Sequence, residues 1–96
     1  MTTHVFAQMI IKDHDALARY RDKAGAALAR HGGSVVSAGP VATVLEAAGA
    51  APDTVALLSF PSTDAAEAWR NDPDLADVHA LRNKAGASTI IVVPSA

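Results

Sequence analysis

Apolar positions change period along the chain, and the changes outline its elements. In residues 4–11, HVFAQMII, side chains alternate: Val5, Ala7, Met9 and Ile11 share one face, and Phe6, Gln8 and Ile10 share the other. Both faces are largely apolar, so this strand is suited to cover on both sides. Asp13 or Asp15 can cap the segment that follows. There Leu17, Tyr20, Ala24 and Leu28 recur at spacings of three and four, the stripe of an amphipathic helix reaching Arg30. His31-Gly32-Gly33 ends that helix, because glycine tolerates the left-handed conformation that closes one. Residues 34–47 read as a long strand interrupted at Gly39-Pro40, where a bulge, an edge or a tight turn must sit, since proline has no amide hydrogen for a ladder. AGAAPD at 48–53 is a loop, and TVALLSF at 54–60 is a strand again. Pro61-Ser62-Thr63-Asp64 opens a second helix over 64–71 with several candidate caps. Asn71-Asp72-Pro73 interrupts it, and Pro73 suits the first position of a new helix capped by Asp72. Leu75, Val78, Leu81, Arg82 and Ala85 continue the helical spacing to Gly86, and STIIVVP at 88–94 closes the chain as a fourth strand.

The order is β-α-β-β-α-β. That pattern predicts one ferredoxin-like α+β domain spanning 1–96: a four-stranded antiparallel sheet with the helices on one face. The other face would carry some of the Val and Ile residues and needs a cover of its own. A second copy of the chain is the simplest cover, so a homodimer is expected.

Composition strengthens that expectation. Half of the 96 residues are apolar, but 22 are alanine and the aromatics are only Phe6, Tyr20, Phe60 and Trp69. Stabilisation follows apolar area at roughly 25 cal/mol per Å², so an alanine-rich core contributes little per residue. A chain of this size folding alone buries only about two-thirds of its unfolded surface. The formal charge is −2 with the two signs interspersed, which argues against a nucleic-acid partner and against an anionic membrane surface. The absence of cysteine excludes disulfides, thiolate metal sites and a Cys nucleophile, and fits a reducing compartment. No basic-then-apolar leader is visible and no apolar run approaches the ~20 residues of a membrane span. The expected location is the cytoplasm.

The candidate chemistry is sparse. His79 and Arg82 are three residues apart and share a helix face. Together they can move a proton and steady an anion or enolate, which makes them the candidate catalytic residues. Trp69 can form the flat wall of a pocket for a planar substrate. Tyr20 lies on the apolar stripe of the first helix with a hydroxyl that can reach a pocket. His31, at the end of that helix, is favoured there when protonated by the helix dipole, and is carried as a further substrate contact. Dinucleotide, phosphate-loop and nucleophile-elbow motifs are all missing. The four histidines show no metal-ligand spacing, so no metal site is expected.

Tyr20, His31-Gly32-Gly33, the Gly39-Pro40 break, Phe60-Pro61-Ser62, Trp69 and Arg82 together resemble the domain of unknown function 1330 family over nearly the whole chain. That resemblance implies the dimeric α/β barrel arrangement, in which two ferredoxin-like protomers press their sheets together. An Arg before the Gly break and a Glu-Tyr pair after the helix interruption are usual there; this chain has Ser37-Ala38 and Asp74-Leu75. A weaker similarity links Trp69 and His79 to the Trp and His of antibiotic-biosynthesis monooxygenases and their haem-degrading relatives, with Gln8 near the place of an Asn on the first strand. It implies a cofactor-independent monooxygenase, isomerase or cyclase acting on an aromatic or polyketide-like molecule. In that reading His79 moves the proton, Arg82 or Gln8 polarises an oxygen, and Trp69 holds the ring. The alternative is a non-catalytic ligand-binding or assembly module. Haem, which the relatives imply through His79, is not expected to bind tightly. Asp72, Asp74 and Asp77 would face its propionates, and Arg82 and Lys84 offset only part of that charge.

Overall fold

A computed structural model of the chain describes residues 2–94. In order along the chain it has β1 (Thr3–Ile11), α1 (His14–Ala29), β2 (Ser34–Pro40) and β3 (Thr54–Phe60). There follow α2 (Thr63–Asn71), a 3₁₀ turn at Pro73–Leu75, α3 (Ala76–Ala85) and β4 (Gly86–Val93). The strands form one antiparallel sheet in the order β2-β3-β1-β4. This is the ferredoxin-like α+β fold, with the second crossover split into α2, the turn and α3.

Local signals account for the element ends. Asp13 caps α1, its Oδ1 accepting from the Ala16 amide at 3.0 Å, and Ser62 does the same for α2 through Ala65 at 3.1 Å. At the end of α1 the amides of Gly33 and Gly32 bond back to the carbonyls of Leu28 and Ala29. This is a Schellman closure with Gly32 left-handed at φ 72°. Gly33 is needed for another reason: a Cβ there would lie 2.7 Å from the Phe60 ring. The His31-Gly32-Gly33 and Phe60-Pro61-Ser62 segments thus pack on each other, since a Cβ at Gly32 would likewise lie 3.0 Å from the Pro61 ring.

The core lies on the helix side of the sheet. Val5, Leu58 and Phe60 pack with Ala27, Leu28, Ala66, Trp69 and Leu75, while Met9 packs with Ala16, Leu17 and Ala85. The opposite face, set by strand alternation, presents Phe6, Leu57, Ile10, Val36, Ile91 and Val93. The last four are exposed.

Two expectations are corrected. The strand read over 34–47 stops at Pro40, and 41–53 has no regular structure. β2 is an edge strand whose one partner, β3, begins at Thr54 opposite Pro40, so residues beyond 40 have no ladder to join. Asp53 ties off the long connection: its carbonyl accepts from Val41, its amide donates to Met9, and its Oδ2 accepts from Ile11. Of the alternatives for Gly39-Pro40, the edge is the one found: Pro40 is the last residue of edge strand β2, whose register shift lies between Val35 and Ser37. β4 also begins earlier than the hydrophobic run, at Gly86, which pairs with Ile11. A Cβ at Gly86 would collide with the Ile10 carbonyl, so the glycine allows close strand approach rather than only ending a helix. Among the described residues, no helix is long and apolar enough to cross a membrane.

Candidate functional site

Three alanines make the principal cavity. Ala38, Ala56 and Ala7 lie in one cross-strand row of β2, β3 and β1, on the face that α1 covers. Small side chains in that row leave the helix without partners beneath it. The result is a cavity of about 550 Å³ between α1 and the sheet, roofed by Tyr20, Ala24 and Leu28. Its lining is overwhelmingly apolar, as ligand pockets are. Exposed Arg21 and Val35 stand at its mouth.

Trp69 of α2 and Arg82 of α3 form the inner end. Both are buried, with 3% of each residue exposed. Trp69 is held by Phe60, with ring centroids 5.5 Å apart. The Arg82 guanidinium carbon lies 5.7 Å from the centre of the Trp69 ring and 5.8 Å from that of Tyr20. Two aromatic faces so placed steady a cation.

His79 stands behind this pair. Its Nδ1 is 2.7 Å from Arg82 Nη1 and its Nε2 is 3.0 Å from the Trp69 carbonyl. A guanidinium only donates, so Nδ1 accepts and Nε2 carries the proton and donates to the carbonyl. The ring is T-shaped to Trp69 at 5.0 Å. Burial holds the His79 pKa below the usual histidine range; the bond to the Trp69 carbonyl opposes that, and the Arg82 and Arg70 charges reinforce it. His79 is therefore neutral, with both nitrogens engaged. It does not border the principal cavity but a shallow polar depression on its far side, with Asn71, Asp72 and Asn83.

The residues singled out in the sequence divide accordingly. Trp69, Arg82 and Tyr20 converge on the cavity. Gln8 borders it from β1, but strand alternation turns its side chain to the opposite face from Met9, away from Trp69. Gln8 therefore lines the cavity from the side away from Trp69. His31 is outside the cavity altogether. Its Nε2 lies 2.8 Å from Asp72 Oδ2, so the expected substrate contact is replaced by a helix clasp. Arg30 joins the clasp through Asp72 at 3.0 Å and Asp74 at 2.6 Å. The His31 bond, then the Asp74 amide, hold the Asp72 pKa below the ordinary carboxylate value. This clasp, which pins the end of α1 to the α2–α3 break, was not anticipated from the sequence. A pairing across more than forty residues leaves no local pattern.

Among the described residues, no three His, Cys, Asp or Glu side chains converge on a possible metal. The one histidine a haem iron would use, His79, has both nitrogens committed, so the site does not fit an axial ligand.

Residues 2–96 match the domain of unknown function 1330. The chain belongs to this family. No curated protein matches it. A DUF1330 chain of this kind resembles several solved structures. A protein of unknown function from Rhodopseudomonas palustris is 21% identical at a TM-score of 0.80, covering 99% of this chain and 82% of that one. A dimeric ferredoxin-like protein of unknown function from Jannaschia sp. is 11% identical at 0.69, covering 99% and 100%. SnoaB, a cofactor-independent oxygenase from Streptomyces nogalater, is 15% identical at 0.66, covering 99% and 92%. At these identities the likeness establishes the fold.

Proposed function

We propose that this DUF1330 protein is a homodimer in which each protomer binds a small, mainly apolar molecule between α1 and the sheet. The observation that carries the binding site is the cavity over the alanine row, closed at its inner end by Trp69 and Arg82. A flat aromatic wall, an apolar floor and one strong donor are what a compact aromatic ligand needs. The dimer rests on the bare sheet face, where Ile10, Val36, Ile91 and Val93 are exposed. The description of the Jannaschia neighbour as dimeric supports it.

A catalytic form of this reading is favoured by the guanidinium. A buried cation at the end of an apolar pocket stabilises an enolate or phenolate oxygen as negative charge develops. That suits a cofactor-independent oxygenation, isomerisation or cyclisation, and the likeness to SnoaB points the same way. In such a reaction Arg82 holds the oxyanion and Trp69 holds the ring. His79 orients Arg82 instead of shuttling the proton, because both of its nitrogens are engaged. The competing form is binding without turnover.

The test uses Trp69, the only tryptophan of the chain. Apolar small molecules titrated against the protein are expected to change its fluorescence and raise the melting temperature, since a ligand specific for the folded state stabilises by mass action. Failure of every compound to do either removes the proposal. Oxygen uptake with enolisable aromatic ligands then separates turnover from binding.

A further inference from the structure

The two polar side chains at the inner end of the cavity, Arg82 and Trp69, carry only hydrogen-bond donors. Arg82 Nε and Trp69 Nε1 are both buried and have no partner among the described residues. Buried polar groups are nearly always paired, so two orphans side by side need a reason. The charge balance points the same way. Arg82 is 3% exposed, and among the described residues its one side-chain hydrogen bond goes to a neutral histidine ring. The charged residues lining the cavity are Arg82 inside and Arg21 at the mouth, with no Asp or Glu among the described lining residues. Asp72, on the far side of His79, is taken up by His31 and Arg30. A buried cation without a counter-charge is costly. The two aromatic faces beside it offset part of that cost and supply no acceptor.

We propose that the ligand of this cavity is an anion: an apolar, preferably aromatic body bearing a carboxylate or an equally acidic oxygen that pairs with the Arg82 guanidinium. This rests on the binding reading above and names the ligand's charge. The fork of an arginine matches a carboxylate. The Trp69 indole adds a neutral donor beside it. Arg21, exposed at the mouth, supplies a second positive charge on the way in. Selectivity then follows from the pocket: a neutral isostere fills the same space but leaves the guanidinium unpaired, and a cation meets repulsion as well.

Three probes of one shape decide it: 4-phenylbutanoate, 4-phenylbutanamide and 4-phenylbutylamine, titrated against the dimer with Trp69 fluorescence and melting temperature as readouts. A charge-assisted bond in a buried site corresponds to a preference of at least about tenfold for the carboxylate over the amide. The amine is expected to bind weakest. Arg82→Gln is expected to abolish the preference while leaving amide affinity nearly unchanged, and Arg82→Lys, which retains a point charge, to keep part of it. Arg21→Gln is expected to alter affinity by no more than about twofold, because exposed charges contribute little. Equal affinity of the wild-type protein for carboxylate and amide overturns this inference and leaves the cavity reading standing. So does a preference that survives Arg82→Gln but vanishes in Arg21→Gln. If none of the three probes changes either readout, the cavity reading falls and takes this inference with it. The wild-type ratio needs no variant, so a folding defect in Arg82→Gln does not blunt the test.

Discussion

Replacing His79 tests the arrangement behind the cavity. His79→Ala removes the acceptor of Arg82 Nη1 and the donor to the Trp69 carbonyl, both within the protein interior. The bond to the cation is worth about 1.5–3 kcal/mol and the neutral one about 0.5–1.5 kcal/mol. Loss of the T-shaped contact with Trp69 adds ~0.5–1.5 kcal/mol. The expected destabilisation is about 3–5 kcal/mol, a large part of the total for a domain of this size. Urea unfolding measures it directly, and the melting temperature should fall by more than ~10 °C. His79→Gln can accept and donate along the same directions and should recover a substantial part.

The pH profile of the same variants is diagnostic. Folding holds the His79 pKa below its free value of 6.5. Below pH 6.5 the unfolded chain binds a proton at His79 that the folded chain refuses, so stability falls with pH until the folded pKa is passed. The slope from this residue is at most about 1.4 kcal/mol per pH unit. His79→Gln should lose that part of the slope. A His79→Ala protein within ~0.5 kcal/mol of the parent, the spread of an ordinary surface change, would refute the bonding scheme. Identical slopes for parent and His79→Gln between pH 6.5 and 5 would do the same.

Gly33→Ala drives a methyl group into the Phe60 ring and should cost about 1–3 kcal/mol by overpacking, read from the urea midpoint. Ala56→Leu fills the middle of the alanine row. It should change stability by less than ~1.5 kcal/mol while abolishing the ligand-dependent change in Trp69 fluorescence. Ile91→Glu places a charge on the exposed sheet face, and light scattering after size exclusion is expected to report a monomer for the variant and the proposed dimer for the parent. Haemin titration should give no sharp Soret shift at one equivalent per protomer, and a shift lost in His79→Ala would show that the histidine can be released to iron.

Local chemistry made much of this architecture readable. Alternation in HVFAQMII, the three-four spacing from Leu17 to Leu28, the Asp13 and Ser62 caps and the glycine pair after His31 act over a few residues each. Their physical effect therefore survives without the rest of the molecule. Proline and glycine were readable as interruptions, but not as the particular devices they form. Gly86 could be placed at a boundary; that it permits close approach to Ile10 depends on a strand seventy-odd residues earlier in the chain.

The sequence by itself determined the element order, the ferredoxin-like class and the candidacy of Trp69 and Arg82, because periodicity, caps and rare large side chains are properties of the linear chain. Tertiary structure alone decided where β2 stops, since an edge strand lasts only as long as its partner. Strand register decided that Ala7, Ala38 and Ala56 form one row and open a cavity, and which face Gln8 takes. The packing of α3 against α2 decided that His79 spends both nitrogens on Arg82 and Trp69. Hydrogen bonds and burial depend on distances between remote segments, and no local pattern encodes those distances.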